Sequence, residues 1–164
     1  EIQERLVGSE MCIRDRFYQE CCKKYIPKID DVYMIKSGAT TGKVAIVDTD
    51  IKFTIWSPIA VFRVDKSRIL PKFLFYALQS PSYQTQVALG WTYGTQQNIG
   101  MRTLETLKLC VPSLEEQKQI VAYLDRRCSE MDALISEKEA LVSDLEVYKR
   151  SLVFETVTGK RKVV

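Results

Sequence analysis

The alternation of apolar and polar positions divides the chain into two stretches of different character. The first is strand-like. Asp31-Val32-Tyr33-Met34-Ile35-Lys36 is dense in β-formers and bounded by turn residues. Residues 37–42 (Ser-Gly-Ala-Thr-Thr-Gly) make a turn, 43–47 a returning strand, and Asp48-Thr49-Asp50 turns again. Residues 53–56 and 59–64 predict a third and a fourth strand. Pro58 stands between them and cannot donate to a ladder, which puts their meeting at an edge or a bulge. Helical spacing then takes over. Phe73, Leu74, Ala77 and Leu78 recur on one face after Leu70-Pro71, with the proline suited to a first turn. Ser80-Pro81-Ser82 ends that helix and 83–89 predicts a second. Residues 90–100 form a loop, 103–107 a helical turn and 108–111 a last short strand.

The second stretch is a single amphipathic run. Ser113 and Glu116 have the spacing of a capping box, and neither glycine nor proline follows until Gly159. With Val121 at heptad position a, the a set is Val121, Cys128, Ile135 and Val142. The d set is Leu124, Met131, Lys138, Leu145 and Leu152, and Ile120, Leu134, Leu141 and Tyr148 fall at g. Lys138 and Arg127 interrupt the stripe. A helix over 113–158 with such a stripe needs a partner helix, and Val121, Leu124, Cys128, Met131, Ile135, Val142, Leu145 and Leu152 are the expected contact set. Gly159 closes the helix and 159–164 is a basic tail. The expected fold class is therefore α+β: a mixed or antiparallel-sheet domain over 17–112, then a long coiled-coil helix.

Composition narrows the chemistry. The chain contains no histidine, which removes Ser-His and Cys-His hydrolytic triads. Five cysteines form an odd set without a CxxC pair, so they read as reduced structural thiols and no metal site is expected. No apolar run is long enough to span a bilayer and no signal-peptide pattern opens the chain, so the expected compartment is the cytoplasm. The net charge of +3 is uneven: residues 17–112 carry 12 Lys/Arg against 7 Asp/Glu, whereas 113–164 carry 9 against 10. The basic excess lies where a phosphate-facing domain would carry it. The heptapeptide Glu10-Met11-Cys12-Ile13-Arg14-Asp15-Arg16 resembles a translated transposon end from sequencing libraries. Residues 1–16 are accordingly expected to be adapter-derived or chimeric and disordered, with the natural segment beginning near Phe17.

Two motifs invite over-reading. Gly38-Ala-Thr-Thr-Gly42-Lys43 has three residues between its glycines rather than the four of a P-loop, Val44 replaces the magnesium-binding hydroxyl, and no long helix follows. Asp50-Ile51-Lys52 with Asp30 and Asp31 is too loosely spaced for a nuclease metal core. Glycines for a tight turn remain, and such a turn lets Lys36, Ser37, Thr40, Thr41 and Lys43 offer hydroxyls, N–H groups and cations to a phosphate. The loop 91–98 gathers two aromatics, two threonines and three amides without a charge. Tyr93, Thr95, Gln96, Gln97 and Asn98 are the candidate base-contacting residues, since Asn and Gln pair with adenine edges and Thr contacts thymine methyls.

The order of these segments resembles a known family. Asp31-Val32-Tyr33-Met34 through Ser37-Gly38-Ala39-Thr40-Thr41-Gly42-Lys43-Val44 is similar to its strand-turn-strand signature, and Gly94-Thr95-Gln96-Gln97-Asn98-Ile99 to its second. Val111-Pro112-Ser113-Leu114-Glu115-Glu116-Gln117 resembles the Pro-x-x-x-Glu-Gln start of its conserved helix, and Val157-Thr158-Gly159-Lys160 its closing phrase. The family is the specificity subunit of type I restriction-modification enzymes. The resemblance implies one recognition domain reading half of a split site in double-stranded DNA, and a spacer helix that pairs with a second half-unit and docks modification subunits. It also implies no catalysis and no cofactor in this chain, because S-adenosylmethionine and ATP would be bound by the modification and restriction subunits. Two rival readings are the recognition region of a single-chain restriction-methylation enzyme, whose Asn-Pro-Pro-Tyr motif does not occur here, and a coiled-coil adaptor that does not bind DNA.

Overall fold

The computed structural model describes residues 18–163, except 24, 51, 52, 56 and 93–96. The stretch 1–16 thus lies outside the described residues, as do Tyr93, Thr95 and Gln96. The chain divides into two compact units, Glu1–Val121 and Ala122–Val164.

The first unit is built on a three-stranded antiparallel sheet in the order β2-β1-β3, with β1 Val32–Ile35, β2 Val44–Ile46 and β3 Ile59–Phe62. The register sets Val32 opposite Ile46 and Phe62, and Met34 opposite Val44 and Ala60. Because side chains alternate along a strand, these six share one face; Val32, Met34 and Ala60 belong to the main apolar cluster, and Val44, Ile46 and Phe62 pack against it. Helix α1 (Pro71–Gln79) covers that face with Leu74 and Leu78, and α2 (Pro81–Leu89) with Tyr83 and Val87. Ser80 ends α1 and caps α2, its Oγ accepting from the Tyr83 N–H at 3.4 Å. The second helix therefore starts at Pro81, earlier than the pattern alone suggested, because proline is well suited to the first helical position. The short α3 (Met101–Thr106) adds Leu104.

Two expected strands do not form. Residues 53–55 are irregular, and the sheet ends at β2 and β3. Phe53 instead meets Tyr33 edge-on, with ring centroids 6.3 Å apart, on the face of β1 opposite the main cluster. Residues 108–111 are also irregular. The Gln86 side-chain amide supplies what a neighbouring strand would: its Oε1 accepts from Lys108 N–H at 2.9 Å and its Nε2 donates to Lys108 C=O at 3.0 Å.

The long helix α4 spans Leu114–Val157, 44 residues or about 66 Å at ~1.5 Å per residue. Its capping box forms: Ser113 N–H donates to Glu116 at 2.9 Å and Glu116 N–H to Ser113 Oγ at 3.3 Å. The Ser113 hydroxyl, donating to Glu116 Oε2 at 2.7 Å, and after it the Ser113 N–H hold the Glu116 carboxyl below its usual range. Its first turns belong to the first unit and are tied there by Gln117, which is wholly buried. The Gln117 Oε1 accepts from Leu70 N–H at 2.8 Å, and its Nε2 donates to Arg68 C=O at 3.1 Å and Pro112 C=O at 2.9 Å. Beyond Val121, the a and d side chains of Met131, Ile135, Val142 and Leu145 are each more than half exposed, and Leu124, Cys128 and Leu152 are half-buried, as is Val121 itself. Gly159 at φ 72° follows the helix, a left-handed position suited to glycine. Among the described residues, no helix is long and apolar enough to cross a membrane and no group of three or more His, Cys, Asp or Glu could hold a metal ion.

Candidate nucleic-acid interface

The β1–β2 connection folds as it does because two glycines take backbone angles that other residues avoid. Gly38 has φ 110° and Gly42 φ 92°. Gly42 N–H donates to Ile35 C=O at 2.7 Å and Ile35 N–H to Lys43 C=O at 2.9 Å, while Thr41 and Lys43 N–H groups reach Gly38 and Thr40 carbonyls at 3.1 Å each. Gly42 is buried, and a Cβ there would stand 2.6 Å from Gln84 Oε1. Gln84 cannot simply swing away, because its Nε2 donates to Gly42 C=O at 2.9 Å and Leu78 C=O at 2.7 Å. The turn is thus clamped to α2 from below. Ala39, Thr40 and Lys43 are left exposed, and Lys43 forms no ion pair among the described residues. Lys36 and Ser37 are half-buried at the foot of the turn. The Thr41 hydroxyl is already committed, donating to Gly38 C=O at 2.7 Å, so Thr41 braces the turn more than it faces outward.

The second candidate segment joins this turn directly. Ser37 and Asn98 form an antiparallel β-bridge, and Thr92 and Asn98 form another. Gly38 N–H donates to Gln97 C=O at 2.9 Å, and Ile99 N–H to Lys36 C=O at 2.8 Å. Ile99 is fully buried in the apolar cluster and plugs the junction into the core. Gln97 and Asn98 remain exposed, Asn98 in the bridge and Gln97 next to it. The indole N–H of Trp91, at the start of the loop, is buried and has no partner among the described residues. Five of the turn candidates and two of the loop candidates are therefore brought together on one edge of the first unit. Tyr93, Thr95 and Gln96 fall outside the described residues between Thr92 and Gln97.

Sequence reasoning missed an electrostatic centre at the other end of β1, where the strand begins. Asp31, rejected as a metal ligand, is 1% exposed and takes a two-pronged ion pair from Arg63, Nε to Oδ1 and Nη2 to Oδ2 at 2.7 Å each. Tyr25 Oη also donates to it, as does Lys28 N–H at 2.8 Å. Burial pushes the Asp31 carboxyl up, but these bonds outweigh it and leave it below the usual range. Burial and the bond to Asp31 raise the Tyr25 hydroxyl far above its usual value, so it stays a donor. Arg63 is also anchored to Ile26 C=O at 3.0 Å and lies over the Tyr25 ring. This network pins the segment before β1 to the end of β3. The signal for it, an acid at the start of one strand and an arginine just beyond another, carries meaning only once the register is known. Asp30, at φ 73°, pairs with Lys66 at 2.5 Å on the surface.

A family pattern described as the type I restriction modification DNA specificity domain matches residues 8–142. A type I restriction enzyme specificity subunit of Haemophilus influenzae is 30% identical over 115 residues, 70% of this chain and 28% of the relative. The EcoBI specificity subunit of Escherichia coli is 27% identical over 105 residues, 64% of this chain and 22% of the relative. The crystal structure of a type I restriction-modification S subunit from M. genitalium has the same fold over 69% of this chain and 30% of its own, with a TM-score of 0.55 and 22% identity. The chain spans less than a third of each of these relatives. With the family pattern running through sheet, turn, loop and helix start alike, the chain belongs to the type I restriction modification DNA specificity domain family.

Proposed function

We propose that the joined turn and loop form the duplex-reading edge of a type I specificity subunit, and that this chain reads one half of a bipartite DNA site. The observation that carries this reading is the β-bridge between Ser37 and Asn98. It sets an exposed cation and hydroxyl, Lys43 and Thr40, beside two exposed amides, Gln97 and Asn98. Phosphate contacts fix register and amide contacts read base edges, so both kinds are needed on one surface. Tyr93, Thr95 and Gln96 would extend the base-reading part, and Lys36 and Ser37 the phosphate-facing part. The chain would contribute no catalytic group. Modification subunits would bring S-adenosylmethionine and dock through α4, restriction subunits would bring ATP, and the seam of α4 from Val121 to Leu152 would pair with a second half-unit. The domain limits under this reading are 17–112 for recognition, 113–158 for the spacer and 159–164 for the tail.

Lys43→Ala tests it. The variant is expected to weaken binding to all duplex sequences alike and to lower the slope of log affinity against log salt by about one, the loss of one phosphate contact. Binding isotherms across a salt series check this. An altered sequence preference with an unchanged slope would remove Lys43 from the phosphate-facing role.

A further inference from the structure

We infer that Thr92 is a specificity-positioning residue: its hydroxyl holds the Asn98 backbone so that the Gln97 and Asn98 amides meet base edges at a fixed angle. The inference rests on the proposed reading of this edge. Three consecutive residues have their backbone fixed here. Gln97 C=O accepts from Gly38 N–H at 2.9 Å, and Ile99 N–H donates to Lys36 C=O at 2.8 Å, both toward the β1–β2 turn. Between them, Asn98 C=O turns the other way and accepts twice from Thr92, from its N–H at 3.0 Å and from its Oγ1 at 3.0 Å. Thr41 Oγ1 adds a long contact to Gln97 C=O at 3.4 Å. The turn side is backed by the buried Ile99 and by Gln84 beneath Gly42. On the loop side, among the described residues, Asn98 C=O is held by Thr92 alone, which is exposed.

An amide discriminates between bases only if donor and acceptor arrive together at a fixed separation and tilt. Two bonds converging on one carbonyl from the same residue restrain rotation of that peptide more than one does. The second also locks the Thr92 side chain in one rotamer. Valine keeps the shape and the branched Cβ but removes the hydroxyl. The N–H bond and the turn-side bonds persist, so the loop keeps its place while the peptide at Asn98 loses its second restraint. Phosphate contacts through Lys43 are untouched by that change. Loss of sequence discrimination without loss of charge-driven affinity is the signature of this role, and a merely structural one would not produce it.

The test uses the full 164-residue chain as wild type, Thr92→Val and Thr92→Ser, with a pool of duplexes randomised in its central base pairs. Wild type selects an enriched duplex, and each protein is then titrated with that duplex and with versions changed at one base pair. Thr92→Val is expected to lose about 5-fold in discrimination, part of what one bidentate pair supplies. Its salt slope and thermal midpoint should match wild type, and Thr92→Ser should restore discrimination. The inference is overturned if Thr92→Val discriminates like wild type, if Thr92→Ser fails alongside it, or if all affinities fall together with the midpoint. Enrichment of no sequence by wild type would overturn the base-reading role of the whole edge, and this inference with it. Enrichment followed by unchanged discrimination in Thr92→Val would overturn this inference alone.

Discussion

Arg63→Met is expected to destabilise the first unit by about 3 kcal/mol at neutral pH, the low end for breaking a buried ion pair from one side. The low end applies because two of the Asp31 partners, the Tyr25 hydroxyl and the Lys28 N–H, remain in the variant. The cost arises because Asp31 is 1% exposed while Arg63 is 45% exposed, so the group left behind is the one water cannot reach. The converse change, Asp31→Asn, leaves Arg63 free to hydrate and should cost less. The pH dependence has a definite sign. In the wild type the folded Asp31 carboxyl lies below its ordinary value, so its stabilising contribution is full above the unfolded value of about 4 and is lost as pH falls through the folded one. In Arg63→Met the burial that pushes the carboxyl up is opposed by fewer bonds, and a charged Asp31 becomes a cost that protonation relieves. The gap between wild type and variant should therefore be widest near pH 7 and shrink below about pH 4. Urea unfolding at both pH values measures it. A gap that stays constant would mean that Arg63 acts through packing and not through charge.

Gln117→Leu should cost about 2–3 kcal/mol, because three backbone groups lose their partner in a buried site. The amide orientation is fixed by those partners: the oxygen faces the Leu70 N–H and the nitrogen faces the Arg68 and Pro112 carbonyls. Leu70 is the residue that precedes α1, so the start of one helix is held by a side chain from the start of another. Gln117→Glu sharpens the test. A carboxylate can still accept from Leu70 but sets its second oxygen against two carbonyls, and should be at least as damaging at neutral pH. Chemical denaturation of both variants decides the point. A leucine variant within about 0.5 kcal/mol of wild type would show that these bonds contribute nothing net.

The parts of the fold that were legible in the sequence were those set by local chemistry. Gly38 and Gly42 marked a turn that needs left-handed backbone. Ser113 and Glu116 marked a helix start, and the stripe from Val121 to Leu152 marked its exposed seam. What failed was tertiary. Residues 53–55 have the composition of a strand, but Phe53 packs against the Tyr33 ring instead of joining the ladder. Residues 108–111 looked like a strand with nothing to pair with, and the Gln86 amide took that place. Gln84, Gln86 and Gln117 all act as surrogates for backbone groups. A glutamine on a helix gives no local sign of which distant peptide it will satisfy. The candidate interface was half legible: its two segments stood out by glycine spacing and by uncharged amides. Their union through Ser37 and Asn98, the bracing role of Thr41 and the clamp at Thr92 follow only from the folded chain.

The most direct test of the account is to follow the backbone amides of the full chain by NMR while adding the enriched duplex. One continuous reading edge predicts that Gly38, Thr40 and Lys43 respond together with Gln97 and Asn98, at the same duplex concentration. Responses confined to one of the two segments, or gathered along α4 instead, would contradict it.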